Sequence, residues 1–293
     1  MYNEEKPNSE AKFSIIIPTW NNLDYVKLCV NSIRKNSRFR HQIILHINDG
    51  SDGSKAWAEK ENIDHTASTK NVGICWAVND AARLANTDYI VYMNDDMYVL
   101  PDWDLHLWNE IQQLPDDLFF LSSTMIEPTG GENPCVIFDP RFGDSIETFD
   151  EELLLKEAPE IPMHDWQGAT WPPNIVSKRV WQMVGGYSVE FSPGMTSDPD
   201  FSRKLWALGI RYFKGIGKSR VYHFQCKSTG RITKNNGKQQ FLEKWGMSAS
   251  DFCDITLERG KVFYGPLTDN TVKSVHNERL LKRLSRKLLK RSK

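Results

Sequence analysis

The sequence predicts an α/β fold with a parallel central sheet flanked by helices, and a helical tail at the C-terminus. Short apolar runs alternate with helical patterns over residues 13–93, in the order strand, helix, strand, helix, strand. Parallel neighbours of this kind are joined by crossover helices, which cover both faces of the sheet. Near the C-terminus, leucines recur at helical spacing among basic residues, and this pattern predicts the tail.

The first predicted strand is Phe13–Ile17, a β-branched run that ends at Pro18 and suits a strand buried on both faces. A helix follows, because Leu23, Val26, Val30 and Ile33 recur at intervals of three and four residues and share one face. Similar runs predict the next elements in chain order: a strand at 42–47, a helix at 54–60, a strand at 63–67, an alanine-rich helix at 73–84, and strands at 89–93 and 118–123.

Residues 127–165 interrupt the alternation, because they contain Pro, Gly and many acids, with eight acidic against two basic residues between Asp139 and Glu160. A long irregular stretch inside a domain is typical of a binding loop or lid, and a disordered acidic insertion is the alternative. Beyond it, we expect helices at 177–183 and 199–208, the second ending before Gly209, and strands at 210–213 and 219–224.

Charge is unevenly distributed along the 293 residues. The net charge is −1, but residues 276–293 contain eight Lys or Arg and one Glu, a local sum of +7, which leaves −8 for the rest. A mildly acidic body argues against a nucleic-acid partner, since a basic face should dominate there. The tail leucines share one helical face opposite the basic residues: Leu280, Leu281, Leu284, Leu288 and Leu289. This pattern predicts a helix on an anionic membrane surface; a solvated helix or a subunit contact are the alternatives.

The five cysteines are widely spaced and include no CxxC pair, which gives no support to a zinc or thioredoxin-like site. We expect them to be reduced thiols of a cytoplasmic protein. The N-terminus lacks the apolar segment of a signal peptide, and no run of ~18 apolar residues could span a bilayer. The prediction is a cytoplasmic protein that the tail brings to the inner face of the membrane.

Residues 88–104 are the most informative stretch. An apolar strand ends at Met93 and is followed directly by Asn94-Asp95-Asp96. Open α/β sheets bind ligands at the carboxyl ends of their strands. Adjacent carboxylates there repel each other unless a cation neutralises them, and hard oxygen ligands suit Mg²⁺ or Mn²⁺ shared with substrate phosphates. The alternative is a solvated turn that leads into a helix.

Five segments in fixed order resemble family 2 glycosyltransferases of the GT-A fold, over about residues 13–224. They are Ser14–Asn22 (SIIIPTWNN), Ile47–Ser54 (INDGSDGS), Lys70–Gly73 with Asn79, Asn94–Asp96, and Val184–Tyr187 followed by Ser197–Phe201. The sequence departs from the family pattern in three places. The second segment is one residue short, Asn94 replaces the usual first Asp, and Ser197 precedes Asp198 where the family has Glu.

The polar composition of residues 1–12 predicts a leader, and the basic tail covers residues 266–293. Between them, the resemblance implies one GT-A domain over 13–265, with a mixed, mostly parallel central sheet flanked by helices. Within the domain, residues 13–125 would form the nucleotide-binding half and 126–265 the acceptor half. Asp96 and His223 are implied to bind Mn²⁺ or Mg²⁺, and Asp198 to be the general base that an inverting transfer needs. A helix N-cap is the alternative for Asp198, and a structural role on an apolar strand is the alternative for His223.

The implied donor is a nucleotide-diphosphate sugar of the UDP, dTDP or GDP type. The residues that the resemblance assigns to it are Pro18, Thr19, Asn21, Asp49, Lys70, Asn71, Gly73, Asn94 and Asp95, with Trp166, Gln167 and Gly168 around the sugar. Trp suits the C–H face of a sugar ring. Structural alternatives are an Asx-turn for Asp49, a solvated side chain for Lys70 and a helix cap for Asn71.

The sequence therefore predicts a metal-dependent, inverting glycosyltransferase that acts on a hydroxyl of a glycan or glycolipid. A nucleotidyltransferase should have a glycine-rich phosphate loop after the first strand, and Pro-Thr-Trp-Asn-Asn at 18–22 is not one. A catalytically degenerate relative that binds sugar nucleotides or glycans, or serves as a scaffold, is the non-enzyme alternative. Asn94 and Ser197 favour that alternative.

Overall fold

The computed structural model describes residues 10–131, 133–226 and 233–269. Ten strands in these residues form one sheet. The strands are β1 Ser14–Trp20, β2 Gln42–Asn48, β3 Asp64–Ser68, β4 Tyr89–Tyr92, β5 Met97–Val99, β6 Phe119–Glu127, β7 Val136–Phe138, β8 Trp166–Gln167, β9 Asn174–Ser177 and β10 Tyr212–His223. The α-helices in these residues are α1 Leu23–Asn36, α2 Ser54–Lys60, α3 Ile74–Ala82, α4 Trp103–Gln113, α5 Glu151–Glu157, α6 Lys178–Val184, α7 Ser197–Ala207, α8 Gly237–Trp245 and the short α9 Ala249–Asp251.

The strands lie in the order β3-β2-β1-β4-β9-β6-β10-β5, with β7 beside β6 and β8 beside β10. The pairs β3–β2, β2–β1, β1–β4, β6–β10 and β6–β7 are parallel. Strand β9 is antiparallel to both β4 and β6, and it joins the two parallel parts. The predicted class is confirmed: a mixed, mostly parallel sheet between helices.

The core lies on both faces of this sheet because side chains alternate along each strand. On β1, Ile15 and Ile17 pack with α1 and α4, whereas Ile16 packs with α3, α6 and α7 on the opposite face. All three side chains are fully buried. Each such burial contributes about 1.5–3 kcal/mol to the stability of the fold. The strands are therefore held at fixed positions, and their carboxyl ends form a rigid rim.

Two predicted features of the second half need correction. The strands predicted at 210–213 and 219–224 are one strand, β10, whose pairing with β6 is interrupted by a bulge between Ile216 and Arg220. The described residues of this segment, 127–131 and 133–165, are ordered rather than irregular, with β7 and α5 among them. They pack their own apolar cluster against β10, including fully buried Phe142 and Leu154. The buried Arg220 guanidinium also donates to the carbonyls of Ala158 and Ile161.

The basic segment 276–293 and residues 1–9 of the predicted leader lie outside the described residues. The prediction for the tail therefore rests on the sequence alone. Within the described part of the chain, every helix is too short or too polar to cross a lipid bilayer. The five cysteines, all described, are free thiols.

Candidate active site

One cavity of about 550 Å³ opens at the carboxyl ends of β1, β2, β4, β6 and β10. Its volume lies within the usual range of small-molecule sites. The starts of α3 and α7 close its other side. Nine of the residues predicted for the site line it: Pro18, Thr19, Asn71, Gly73, Asn94, Asp95, Asp96, Asp198 and His223. The topology therefore brings together residues that are up to 205 positions apart in the sequence, from Pro18 to His223.

The Asn94-Asp95-Asp96 turn follows β4, and its two carboxylates point to different partners. The Asp95 carboxylate accepts a hydrogen bond from Thr19 Oγ1 at 2.7 Å. The Asp96 carboxylate accepts from the backbone N–H of Cys226 at 2.7 Å, and its other oxygen lies 3.4 Å from His223 Nε2. Burial, with the neighbouring charge of Asp96, raises the pKa of Asp95 to about 7. Burial opposes the charge of Asp96, but His223 together with the backbone N–H groups of Cys226 and Asp96 outweighs this effect and lowers the pKa of Asp96.

His223 is oriented by a residue that the sequence did not single out. Its Nδ1 lies 2.7 Å from a carboxylate oxygen of Glu127, the last residue of β6. This contact fixes the ring so that Nε2 faces Asp96. Burial alone would lower the pKa of His223, but Asp96 and Glu127 raise it to about 10. A carboxylate behind an imidazole is the arrangement that usually supports a metal-binding histidine.

The residues fit a divalent cation that is shared with a substrate. An Asp oxygen and a His nitrogen face each other across 3.4 Å, and this donor set suits Mn²⁺. Among the described residues, no three or more His, Cys, Asp or Glu side chains are grouped so that they could hold a metal ion. Protein sites with few ligands typically complete the coordination of Mg²⁺-like ions with substrate phosphates and water.

Asp198 lies in the first turn of α7 and faces the cavity rather than capping the helix. Thr196 is the N-cap residue, in a left-handed conformation with φ of 70°. One Asp198 oxygen accepts a hydrogen bond from the hydroxyl of Tyr187 at 3.0 Å. Burial raises the pKa of Asp198 to about 6, against the effect of this hydrogen bond, which lowers it. A carboxylate with a pKa near neutrality suits a general base.

The end of the cavity that the sequence predicts to bind the nucleotide (the nucleotide end) is built from β1, β2 and the loop before α3. Asn48, at the end of β2, is an additional lining residue. Its amide oxygen accepts from Val72 N–H at 2.9 Å and its amide nitrogen donates to the Thr19 carbonyl at 3.3 Å. Asn71 accepts from Gly73 N–H at 2.8 Å. The Asn71 side chain thus forms a turn before α3, while Gly73 occupies the N-cap position.

Gly73 gives a specific prediction, because its φ is +81° and a Cβ atom there would lie 2.7 Å from Pro193 Cα. Ile74 N–H also donates to the Pro193 carbonyl at 2.9 Å. We expect Gly73→Ala to cost about 1–3 kcal/mol of stability from the backbone conformation alone. It should also displace the 193–198 segment and weaken nucleotide binding. Gly185→Ala is the matched control, because Gly185 has φ of +70° with nothing near its missing Cβ. Equal nucleotide affinity of the two variants, measured by calorimetry, would contradict the prediction.

Three residues predicted for the donor lie beside the cavity and do not line it. Asn21 donates to the Asp49 carboxylate at 2.9 Å, so these two side chains pair with each other at the ends of β1 and β2. Both residues have positive φ, 47° and 66°, and such turns favour Asn and Asp. Lys70 is exposed, and its carbonyl accepts a hydrogen bond from Ser68 Oγ at 2.7 Å.

Trp166, Gln167 and Gly168 do not line the cavity, and their prediction as a sugar pocket needs correction. Trp166 is 2% exposed, lies on β8 against Gly215 of β10, and donates from Nε1 to Thr124 Oγ1 at 3.0 Å. Gly168 is packed against the backbone of 257–259. Two other tryptophans line the cavity, Trp20 and Trp171. Arg259 Cζ lies 4.5 Å from the ring centre of Trp171.

The family model for glycosyl transferase family 2 matches residues 14–157. This match begins at β1 and includes the Asn94–Asp96 turn. Residues 14–157 belong to glycosyl transferase family 2. The resemblance seen in the sequence is thereby confirmed. Among curated proteins, none matches the chain.

Solved structures show the same fold. S. aureus TarS 1-349 is 17% identical with a TM-score of 0.52, over 72% of this chain and 60% of that one. The same TarS fragment in complex with UDP-GlcNAc is 17% identical, with a TM-score of 0.51 over 73% and 61%. GalNAc-T7 with UDP, GalNAc and Mn²⁺ is 14% identical, with a TM-score of 0.59 over 85% and 51%. The chain thus spans about half to three-fifths of these GT-A glycosyltransferases.

Proposed function

We propose that the protein is a metal-dependent, inverting glycosyltransferase that uses a nucleotide-diphosphate sugar. The observation that carries the proposal is a single cavity lined by the Asp96–His223 pair, by Asp198 and by the nucleotide-binding end of a family 2 domain. UDP is the favoured nucleotide among the UDP, dTDP and GDP types, because TarS and GalNAc-T7 were solved with UDP or UDP-GlcNAc. The transferred group would be a hexosyl or deoxyhexosyl residue.

In this mechanism, Asp198 accepts the proton of an acceptor hydroxyl while that oxygen bonds to the anomeric carbon of the donor. The bond between that carbon and the diphosphate oxygen breaks in the same step, which inverts the configuration. Asp96 and His223 would hold Mn²⁺ or Mg²⁺, and the ion would neutralise negative charge on the leaving diphosphate. Thr19 and Asp95 lie at the nucleotide end, where their hydrogen bond holds the Asp95 carboxylate in place.

The acceptor would be a hydroxyl of a glycan or glycolipid, as in polysaccharide biosynthesis. A protein that binds sugar nucleotides without turnover is the second candidate, because Asn94 and Ser197 replace acids of the family pattern. Release of nucleoside diphosphate from UDP-, dTDP- and GDP-sugars with Mn²⁺ distinguishes the two. We expect turnover with one nucleotide class. Tight binding of a donor with no release of its nucleotide, in the presence of glycan acceptors, would identify a binding protein.

We further propose that the protein acts at the inner face of a membrane, through the basic segment 276–293. Its local charge of +7 supports attraction to anionic lipid, worth about 1 kcal/mol for each basic residue near the surface. Deletion of residues 276–293 should abolish co-sedimentation with vesicles that contain anionic lipid. Zwitterionic vesicles serve as the control, and the full chain should leave them in the supernatant. Unchanged co-sedimentation of the shortened chain with anionic vesicles would refute this proposal.

A further inference from the structure

Asn79 and Tyr187 belong to two segments of the family resemblance, and the structure joins them directly. The Asn79 side chain donates from Nδ2 to the Tyr187 carbonyl at 2.7 Å, and its Oδ1 accepts from the Tyr187 N–H at 2.8 Å. One side-chain amide therefore satisfies both backbone polar groups of one residue, 108 positions away. This pairing resembles the contact of a neighbouring strand, and it fixes the backbone of Tyr187 relative to α3.

Gly186 makes this contact possible. A Cβ atom at Gly186 would lie 2.2 Å from Asn79 Oδ1, and the residue has φ of +63°. The space that a side chain would fill is thus occupied by the Asn79 amide. The glycine before Tyr187 and the asparagine of α3 are therefore parts of one arrangement.

The side chain of Tyr187 is held as firmly as its backbone. It is 1% exposed, and its ring stacks on Phe201 of α7 with centroids 4.6 Å apart and an interplanar angle of 7°. The ring of Tyr92 packs against it edge-on at 5.6 Å. From this fixed ring, the hydroxyl donates to Asp198 Oδ1 at 3.0 Å. The chain of contacts thus runs from Asn79 through Tyr187 to the carboxylate in the cavity.

We propose that Asn79 and Tyr187 are positioning residues that hold the Asp198 carboxylate in the orientation needed to accept the proton of the acceptor hydroxyl. The inference rests on the proposed function, in which Asp198 is the base. Neither residue lines the cavity, so both act through Asp198. Helix α3 contributes Asn79, and Ile74 at its start lines the nucleotide end of the cavity. Helix α3 therefore connects the nucleotide end of the cavity with the residues that hold Asp198.

The surroundings of Asp198 allow the effect of the Tyr187 hydrogen bond on the pKa of Asp198 to be measured. Among the described residues, Tyr92, Cys75 and Cys253 interact with Asp198 in addition to Tyr187, and burial raises the pKa of each of these three. They are therefore neutral at pH 7. The next carboxylate along α7, Asp200, is paired with Lys244 at 3.0 Å and with Trp245 Nε1 at 2.7 Å. The hydrogen bond from Tyr187 stabilises the ionised form of Asp198.

Tyr187→Phe keeps the stacked ring and removes the hydroxyl. We expect kcat for donor turnover to fall by about 10-fold or more, with KM for the donor unchanged, because donor contacts are kept. The acid limb of the kcat profile should move up by about one pH unit, since loss of one charge-assisted hydrogen bond is of that size. Asn79→Ala should also lower kcat selectively. Tyr212→Phe is the matched control, because Tyr212 bonds to Glu110 away from the cavity and its loss should leave both quantities unchanged.

A second readout does not depend on turnover. The difference in unfolding free energy between each protein and its Asp198→Asn derivative, followed against pH, reports the titration of Asp198. Its midpoint should move up in the Tyr187→Phe background. A folded Tyr187→Phe protein with the wild-type midpoint and kcat would overturn the inference. If Asp198→Asn itself retains full turnover, the proposed base is wrong, and the two failures are thereby distinguished.

Discussion

Replacement of Asp198 by Asn is expected to lower donor turnover by about 10²- to 10⁴-fold, the usual contribution of a general base. The same change should make the protein more stable at pH 8. Asn keeps the shape of the side chain and can still accept the hydrogen bond of the Tyr187 hydroxyl, but it carries no charge into this partly buried position. A variant that loses activity while it gains stability is typical of a site in which function requires a destabilising charge.

The sign of the stability effect follows from the pKa of Asp198, which burial raises from 3.8 to about 6. Between these values the native state binds more protons than the unfolded chain, so this carboxyl lowers stability as the pH rises and its full cost remains above pH 6. The gain in Asp198→Asn should therefore grow from pH 4 to 6 and reach about 1–3 kcal/mol. Wild-type kcat should fall below about pH 6, where the base becomes protonated.

Urea unfolding at pH 4.5 and pH 8, with kcat measured from pH 5 to 8, tests both parts. Asp24→Asn is the control, because Asp24 is exposed in the first turn of α1. It should leave kcat and the pH dependence of stability as in the wild type. An Asp198→Asn protein with wild-type turnover, or with the same stability difference at both pH values, would refute the assignment.

Replacement of Asp96 by Asn should lower turnover by about 10²- to 10³-fold, the usual loss when one electrostatic stabiliser of a developing charge is removed. It should also remove the effect of Mn²⁺ on UDP binding. An amide is a weaker ligand for a hard cation than a carboxylate, and it leaves the charge of the diphosphate uncompensated. Thermal shifts with UDP, with and without Mn²⁺, measure this directly, because a ligand of the native state raises the melting temperature.

Glu127→Gln provides a graded comparison, since Glu127 contacts His223 and would support the cation by orienting that ring. Loss of such a supporting carboxylate typically costs 10- to 100-fold in metal affinity. We therefore expect a reduced but measurable Mn²⁺ effect in Glu127→Gln and none in Asp96→Asn. A full Mn²⁺ effect in Asp96→Asn would show that the cation is held elsewhere.

The parallel part of the fold could be predicted because its signals are local. Consecutive apolar residues and a following helical stripe suffice to identify β1 and α1, and helix 54–60 agrees with α2 at both ends. The second half depends on contacts between distant residues. The acidic segment 139–160 looks irregular in sequence, but the buried Arg220 and the apolar cluster around Phe142 order it. No local pattern indicates that β9 lies antiparallel between β4 and β6.

For the site, the sequence could predict which residues lie at strand ends, but it could not predict which side chains are buried and which line the cavity. Asp96 lies just after an apolar strand and His223 is the last residue of another, and both line the cavity. Glu127 was missed because the predicted strand stopped at Ser123, whereas β6 continues to Glu127. With ten tryptophans in the chain, sequence alone did not show that Trp166 is buried beneath β10 and that Trp171 lines the cavity.

The central claim is that Asp96 and His223 bind one divalent cation together with the diphosphate of the donor, in the cavity that Asp198 faces. Anomalous diffraction at the manganese edge, from crystals of the protein grown with UDP and Mn²⁺, tests it most directly. The account predicts one strong peak bonded to an Asp96 oxygen, to His223 Nε2 and to diphosphate oxygens. A bound UDP whose diphosphate carries no manganese peak, or a peak remote from Asp96, would contradict it.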